Sequence, residues 1–178
     1  MEPEQASMTA RHSAIFRSAH LTVDGEPKVL NDPLAYAFSG IPDDHERGIN
    51  SDYHRQPFLR PLRAFMVLRP RYVEDALAVH FAHREAQYVI LGAGLDSFAF
   101  RKPEPLQNVR VFEVDHPATQ AWKRDRLRSL NVEMPSDVSF VPVDFEHERF
   151  SDKLSQYGFQ PELPTLFSWL GVIFLHGQ

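Results

Sequence analysis

The chain has no cysteine among its 178 residues, which excludes disulfides, thiolate zinc sites and cysteine nucleophiles. No apolar run approaches the roughly 18 residues of a membrane-spanning helix, and the polar start at residues 1–5 is unlike a signal peptide. The formal net charge is −5, so the chain lacks the basic field of a nucleic-acid-binding protein. These absences predict a cytoplasmic protein whose partners include neither nucleic acid nor membrane.

The composition indicates an ordered globular protein. Apolar residues make up 43% of the chain, an ordinary proportion for a folded domain. A chain of this length can bury one substantial core but is short for two separate ones.

The first half of the chain is helical in pattern. A helix is predicted over residues 9–20, followed by a second helix that opens at Asp32 and Pro33, with the aspartate as the N-cap. Residues 40–57 are rich in Asp, His, Pro and Gly, which predicts a loop.

Residues 58–83 form a further helical region. Because it contains Pro61 and Pro70, we expect two or three separate pieces rather than one continuous helix. Its last part carries an apolar stripe at helical spacing, made by Val73, Leu77 and Phe81.

In the second half, strands alternate with helices. The predicted strands are 88–91, 109–114, 139–143 and 164–169, and the helices between them are 117–130 and 150–157. This alternation predicts an α/β fold with a parallel sheet. We therefore expect an N-terminal helical cap region over residues 1–85 and a nucleotide-binding type of domain over residues 86–178.

A glycine turn follows the first predicted strand. Gly92 and Gly94 lack a Cβ, so the backbone there can approach a ligand closely. About 20 residues later the second strand ends at Asp115, where a carboxylate could accept hydrogen bonds from ribose hydroxyls. Strand, glycine turn, helix, strand and acid together indicate a nucleotide-type site.

The residues around the turn favour S-adenosylmethionine over a dinucleotide. The third glycine of a dinucleotide fingerprint is replaced by Ser97. Asp96 would meet a pyrophosphate with negative charge, whereas S-adenosylmethionine has no phosphate and carries cationic groups.

Several motifs in order resemble the leucine carboxyl methyltransferase family. They are Leu-Gly-Ala-Gly-Leu-Asp-Ser at 91–97, Phe-Glu-Val-Asp-His-Pro at 112–117, Trp-Lys at 122–123, and the segments 141–146 and 164–172. The resemblance covers residues 9–175. It implies a Rossmann-like class I fold and O-methylation that uses S-adenosylmethionine, with acceptors that range from a phosphatase C-terminus to small metabolites.

The resemblance also implies roles for individual residues. Gly92 and Gly94 would pass under the amino-acid part of the cofactor, Asp115 would hold the ribose hydroxyls, and Arg69 would bind the cofactor carboxylate, for which a guanidinium fork is suited. Arg69 could instead be a helix-end cation on a solvated face.

Asp144 and Phe145 would meet the adenine, although Asp144 could alternatively cap the helix that follows. We expect Trp122 and Trp169 to lie in the core. His80 and His83 have no third ligand at metal spacing, so no metal site is predicted.

The chain departs from the family pattern in two ways. Leu170 stands where the family has a glutamate close to the cofactor. The sequence also stops soon after the fourth predicted strand, so we expect a shortened sheet of about four strands with an exposed apolar edge that could drive self-association.

The first hypothesis is therefore an S-adenosylmethionine-dependent O-methyltransferase with a carboxyl or hydroxyl acceptor on a small metabolite or a protein C-terminus. No catalytic residue can be nominated. The alternative is a truncated, inactive relative that acts as a binding or interaction module. A reductase that uses NAD(P) is disfavoured by Asp96 and Ser97.

Overall fold

The computed structural model describes residues 8–41 and 52–171. Within these ranges, no helix combines the length and the apolar content needed to span a bilayer. The helices are α1 (Met8–Val23), α2 (Ala35–Ser39), α3 (Asp52–Arg55), α4 (Arg60–Phe81), α5 (Pro117–Ser129) and α6 (Phe150–Gln156). The strands are β1 (Ala86–Leu91), β2 (Val109–Asp115), β3 (Val138–Pro142) and β4 (Thr165–Trp169).

The four strands form one parallel sheet in the order β3-β2-β1-β4. Ile90 of β1 lies opposite Glu113 of β2 on one side and Ser168 of β4 on the other. Since the strands are parallel, their carboxyl ends share one edge, and the segments after β1, β2 and β3 meet there. The α/β fold with about four parallel strands is confirmed.

Strand β1 is buried along its whole length because helices cover both faces of the sheet. Tyr88 and Ile90 pack in a core that includes Leu77 of α4. Val89 belongs to the core on the opposite face, which includes Leu154 of α6. The alternation of side chains along β1 therefore divides the core into two layers.

The prediction that the two prolines divide the helical region 58–83 is wrong. Helix α4 is continuous from Arg60 to Phe81, with Pro61 in its first turn and Pro70 inside it. Backbone N–H groups in the first turn of a helix have no intrahelical acceptor, so Pro61, which lacks an N–H, loses no hydrogen bond there. Val67 and Val73 are buried on either side of Pro70, so packing holds the helix together where one backbone bond is lost.

Asp32 does not cap the second helix. Helix α2 begins at Ala35, after Leu34, and has no side-chain cap bond. The buried Asp32 carboxylate instead accepts a hydrogen bond from Arg17 Nε at 2.8 Å. A guanidinium in a dry interior is a stronger partner for a carboxylate than a backbone amide.

The predicted loop at 40–57 contains the short helix α3, and its residues 42–51 lie outside the described ranges.

The prediction that both tryptophans are core residues is also partly wrong. Trp122 is half-buried, but Trp169 is 56% exposed because it lies on the edge strand β4. Phe167 on the same strand is 49% exposed.

A fully buried ion pair joins β2 to α5. Lys123 Nζ donates to Glu113 Oε2 at 2.5 Å and to the Asp96 carbonyl, also at 2.5 Å. Neither side chain of the pair is more than 1% exposed. Burial raises the pKa of Glu113 to about 7, although the positive charge of Lys123 acts to lower it.

A second polar cluster joins α1 to α4. Arg63 donates to both oxygens of Asp24, at 2.7 and 3.1 Å. His20 Nε2 accepts from the Val29 N–H at 3.2 Å, so its proton is on Nδ1, which lies 2.9 Å from Asp24 Oδ2. The hydrogen bonds that Asp24 accepts, mainly from Arg63 and also from His20, lower its pKa to about 2.

We predict that Lys123→Met destabilises the chain by about 3–5 kcal/mol, because it leaves the buried Glu113 without its counter-charge. The double variant Lys123→Met/Glu113→Leu should recover most of this loss. The measurement is urea unfolding at neutral pH. Arg128→Met is the matched control, since its ion pair with Asp125 is exposed, and it should cost less than about 1 kcal/mol. A double variant as unstable as the single one would contradict the prediction.

We predict that Asp24→Asn removes a pH-dependent part of the stability. The pKa of Asp24 is about 2 in the folded chain, below its ordinary 3.8, so the stabilisation is present above pH 3.8 and is lost as the pH falls through 2. The side chain is 26% exposed, and solvent screening reduces the effect to roughly 1 kcal/mol. Unfolding followed from pH 7 to pH 2 should show the variant and wild type converging at the acid end. Asp75→Asn, in an exposed pair with Arg71, is the control and should change the stability at pH 7 by less than about 1 kcal/mol.

Candidate functional site

A cavity of about 680 Å³ lies at the carboxyl edge of the sheet, bounded by the ends of β1 to β3 and by residues of α1 and α4. Every residue that the sequence nominated for a ligand lines it, so the fold brings the nominated set together. These residues are Arg69, Gly92, Gly94, Asp115, Asp144 and Phe145.

The glycine turn at the end of β1 needs its glycines for two reasons. Gly92 has φ of +67° and Gly94 has φ of +53°, in the left-handed region that side chains disfavour. A Cβ on Gly94 would also lie 3.1 Å from the Cβ of Ala10. The second glycine therefore lets α1 approach the turn, which the sequence pattern did not indicate.

Asp115 closes the turn from the neighbouring strand. Its carboxylate accepts from the Gly94 N–H through Oδ2 and from the His116 N–H at 2.6 Å. Burial raises the pKa of this carboxyl, and the two backbone hydrogen bonds act in the opposite direction. The carboxylate is thus fixed against the turn at one wall of the cavity.

Arg69 lies within α4 and lines the same cavity. Its guanidinium donates to the Leu170 carbonyl through Nη1 and stacks over the Phe65 ring at 4.6 Å. Within the described residues no carboxylate pairs with Arg69, and its buried Nε has no hydrogen-bond partner. The alternative of a helix-end cation is wrong, because Arg69 is inside the helix and half-buried.

The charge around Arg69 favours an anion. Burial is the main cause that lowers the pKa of this guanidinium, and the nearby positive charge of Arg17 lowers it further. Arg17 also lines the cavity. An anionic group placed beside Arg69 would relieve both effects.

Asp144 shapes the turn that follows β3. Its Oδ1 accepts from the Glu146 N–H at 3.0 Å, and its own N–H donates to Glu148 Oε2 at 3.0 Å. Helix α6 begins only at Phe150, so Asp144 does not cap it. Phe145 lies partly buried beside the core under β3 and also lines the cavity.

Sequence reasoning missed the wall contributed by α1 and the start of α5. Ser13 and Arg17 of α1 line the cavity together with His116 and Thr119. The predicted helix over 9–20 carried no signal that one of its faces would meet the glycine turn. The hydrogen bond from the Ala118 N–H to His116 Nδ1, at 3.2 Å, was not foreseen either.

The cavity joins carboxylates at the strand ends to guanidinium groups on the helix side. The acids are Asp96, Asp115, Asp144 and Glu146, and the cations are Arg17 and Arg69. Within residues 8–41 and 52–171, no cluster of three or more His, Asp or Glu side chains could hold a metal ion. Such a lining suits an organic ligand that carries charges of both signs.

Comparisons with known proteins identify the family of the chain. A relative from Bacillus subtilis, YktD, is 46% identical over 104 residues, which are 58% of this chain and 34% of the relative. A Streptomyces coelicolor relative is 32% identical over 168 residues, 88% of this chain and 55% of the relative. Both carry the name "Putative S-adenosyl-L-methionine-dependent methyltransferase". The chain thus spans between a third and just over half of these relatives. The sequence model of leucine carboxyl methyltransferases matches residues 10–176, and the chain belongs to the leucine carboxyl methyltransferase family.

Proposed function

We propose that this chain forms the S-adenosylmethionine site of a methyltransferase that acts on an oxygen atom of its acceptor. The observation that carries the proposal is that one cavity is lined by the glycine turn, by the fixed Asp115 carboxylate and by the Arg69 guanidinium, whose buried Nε has no hydrogen-bond partner among the described residues. Family membership and the names of the relatives support it.

The charges of S-adenosylmethionine match those of the cavity. Its carboxylate would pair with Arg69, and its amino-acid part would lie along Gly92 and Gly94. Its ribose hydroxyls would donate to Asp115, since each carboxylate oxygen accepts one backbone N–H and keeps a second lone pair for a further donor. The cationic sulfonium would lie in a cavity that holds Asp96 and further acids.

The adenine would lie against the turn after β3. Asp144 Oδ1 accepts one backbone N–H, and its other oxygen can accept from the adenine amino group. Phe145 offers an aromatic ring at the cavity wall, suited to contact with a purine.

The turn itself argues against NAD(P). Ser97 is 1% exposed, and its Oγ accepts from Arg101 Nε at 2.8 Å, so this residue serves the interior rather than a pyrophosphate. Asp96 lines the cavity where the phosphates would lie, and their mutual repulsion would weaken binding.

The cofactor supplies an electrophilic methyl group, and the chain contributes binding, orientation and exclusion of water. Among the described lining residues, His116 is the natural candidate for a base. Its Nδ1 accepts from Ala118, so the neutral ring carries its proton on Nε2 and cannot accept one there. A carboxylate acceptor is already ionised and needs no base, which favours a carboxyl over a hydroxyl acceptor.

The acceptor is proposed to be a small metabolite or a protein C-terminus, in the cytoplasm. We also propose that the chain consists of a helical cap region, residues 1–85, and a partial Rossmann-like domain, residues 86–178. The relatives are longer than this chain, so the complete reaction is proposed for the protein to which these residues belong.

A second candidate function is an interaction module with a weak cofactor site. Two observations favour it: Leu170 lines the cavity where the family has a glutamate, and the edge strand β4 exposes Phe167 and Trp169. Among the described strands β4 has a neighbour on one side only, and an apolar strand edge of this kind favours association with a second copy. Size-exclusion chromatography over a range of concentrations separates a monomer from such an assembly.

We predict that the chain binds S-adenosylmethionine and that Asp115→Asn weakens binding about 10- to 100-fold, the value of a charge-assisted hydrogen-bond pair. Isothermal titration calorimetry gives the Kd. Asp137→Asn is the matched control, because Asp137 pairs with Lys102 and does not line the cavity. NAD should give no heat. A folded chain that does not bind S-adenosylmethionine would falsify the cofactor assignment.

We predict that Leu170→Glu tightens S-adenosylmethionine binding about 10-fold, because it adds a carboxylate beside a cationic ligand. Leu170→Gln has the same shape without the charge and should leave the Kd near the wild-type value. The same titrations test this, repeated at high salt, where the gain should shrink. Equal effects of both variants would mean that charge at this position does not act on the ligand.

A further inference from the structure

Two buried cations, Arg17 and Lys123, and the partly buried Arg101 hold three successive residues of the ligand turn, residues 92–97. Each donates a short hydrogen bond to a different residue, and a charged donor strengthens such a bond. The bonds are Arg17 Nη2 to the Leu95 carbonyl at 2.6 Å, Lys123 Nζ to the Asp96 carbonyl at 2.5 Å, and Arg101 Nε to Ser97 Oγ at 2.8 Å.

Each cation has its own carboxylate, so the cluster is close to neutral. Arg17 pairs with Asp32, Lys123 with Glu113, and Arg101 with Glu74. The ion pairs come from elements that are far apart in sequence. The shape of the turn therefore depends on the whole domain rather than on its local sequence.

Arg17 differs from the other two because it belongs to α1, the helix that lies against the turn. Its guanidinium bridges Asp32 at 2.8 Å, the Leu95 carbonyl and, through Nη1, Ser13 Oγ at 3.1 Å. Ala10, two turns earlier on the same helix, is the residue that a Cβ on Gly94 would strike. One side chain thus seats the helix and fixes the turn.

We propose that Arg17 is a positioning residue for the S-adenosylmethionine site: it holds the 92–97 turn in its ligand-ready shape and couples the packing of α1 to ligand binding. This inference rests on the proposed cofactor. Arg17 acts through the Leu95 carbonyl rather than by touching the reacting atoms.

The coupling has a simple thermodynamic consequence. Without the Leu95 contact, the turn samples shapes that do not accept the ligand, and the apparent Kd rises in proportion to the loss of the competent fraction. A competent fraction of about one tenth raises the Kd about 10-fold. Removing Arg17 should therefore raise the Kd more than removing another side chain that holds α1 in place by a similar amount but does not contact the turn.

Helix α1 offers a matched control in Arg11. This arginine also ties the helix to backbone carbonyls, those of Ser39 at 3.2 Å and Gly40 at 3.4 Å. It does not line the cavity, and these two hydrogen bonds go to carbonyls outside the turn. Arg11→Met removes a guanidinium from the same helix without touching the turn.

The test compares the full chain with Arg17→Lys, the double variant Arg17→Met/Asp32→Asn and Arg11→Met. The double variant removes both charges, so that no buried carboxylate is left unpaired. Three quantities are measured: the thermal midpoint, the Kd for S-adenosylmethionine, and the amide resonance of Gly94 in glycine-labelled protein without ligand. Gly94 reports directly because its N–H donates to Asp115.

We expect the double variant to shift the Gly94 amide and to raise the Kd about 10-fold or more. Arg17→Lys keeps the charge but has one ammonium for three acceptors, so its Kd should fall between those of wild type and the double variant. Arg11→Met should lower the thermal midpoint while leaving the Kd and the Gly94 signal unchanged.

An unshifted Gly94 amide in a folded double variant overturns the proposal, as does a Kd change no larger than that of Arg11→Met. The two proposals fail differently. If wild type does not bind S-adenosylmethionine, the cofactor assignment fails, while the Gly94 resonance still decides whether Arg17 holds the turn. If the double variant does not fold, Arg17→Lys supplies the same comparison.

Discussion

The structure depends on a buried ammonium group. Lys123 sits between Glu113 on β2 and the Asp96 carbonyl of the ligand turn, and it approaches the rings of Phe38, Phe100 and Phe140 within 6 Å, at 5.7, 5.5 and 5.8 Å. A buried charge has lost its hydration, so it needs a counter-charge and hydrogen-bond acceptors in the protein. Its partners come from the strand, the turn and the N-terminal helices, so satisfying this one group fixes their mutual positions.

The same logic organises the cavity. The interior charges come as pairs that hold the backbone of the turn, whereas Arg69 and Asp115 at the cavity have no oppositely charged side chain as a salt-bridge partner among the described residues. Arg69 has a buried Nε with no hydrogen bond among the described residues, and the Asp115 carboxylate is held only by backbone N–H groups. Unsatisfied groups are costly in a fold. In the proposed complex the cofactor carboxylate would bind Arg69 and the ribose hydroxyls would donate to Asp115.

The errors of sequence reasoning share a cause. Pro70 does not interrupt α4, and Asp32 does not cap α2, because packing and a distant guanidinium outweigh the local preference in each case. Trp169 is exposed since strand order places β4 at the edge. Each of these outcomes depends on residues that are distant in sequence from the position concerned, so patterns of neighbouring residues could not predict it.

The sequence by itself determined the parallel α/β fold, the glycine turn, and the nominated residues around the cavity, Asp115 and Asp144 among them. These follow from local rules: strands that alternate with helices, glycines at positive φ, and acids at strand ends, which a parallel sheet gathers at one edge. Only the tertiary structure decided that α1 would lie on the turn and that Arg17 would reach Leu95, 78 positions along the chain. Contacts of that kind depend on where buried charges find partners, which is a property of the folded whole.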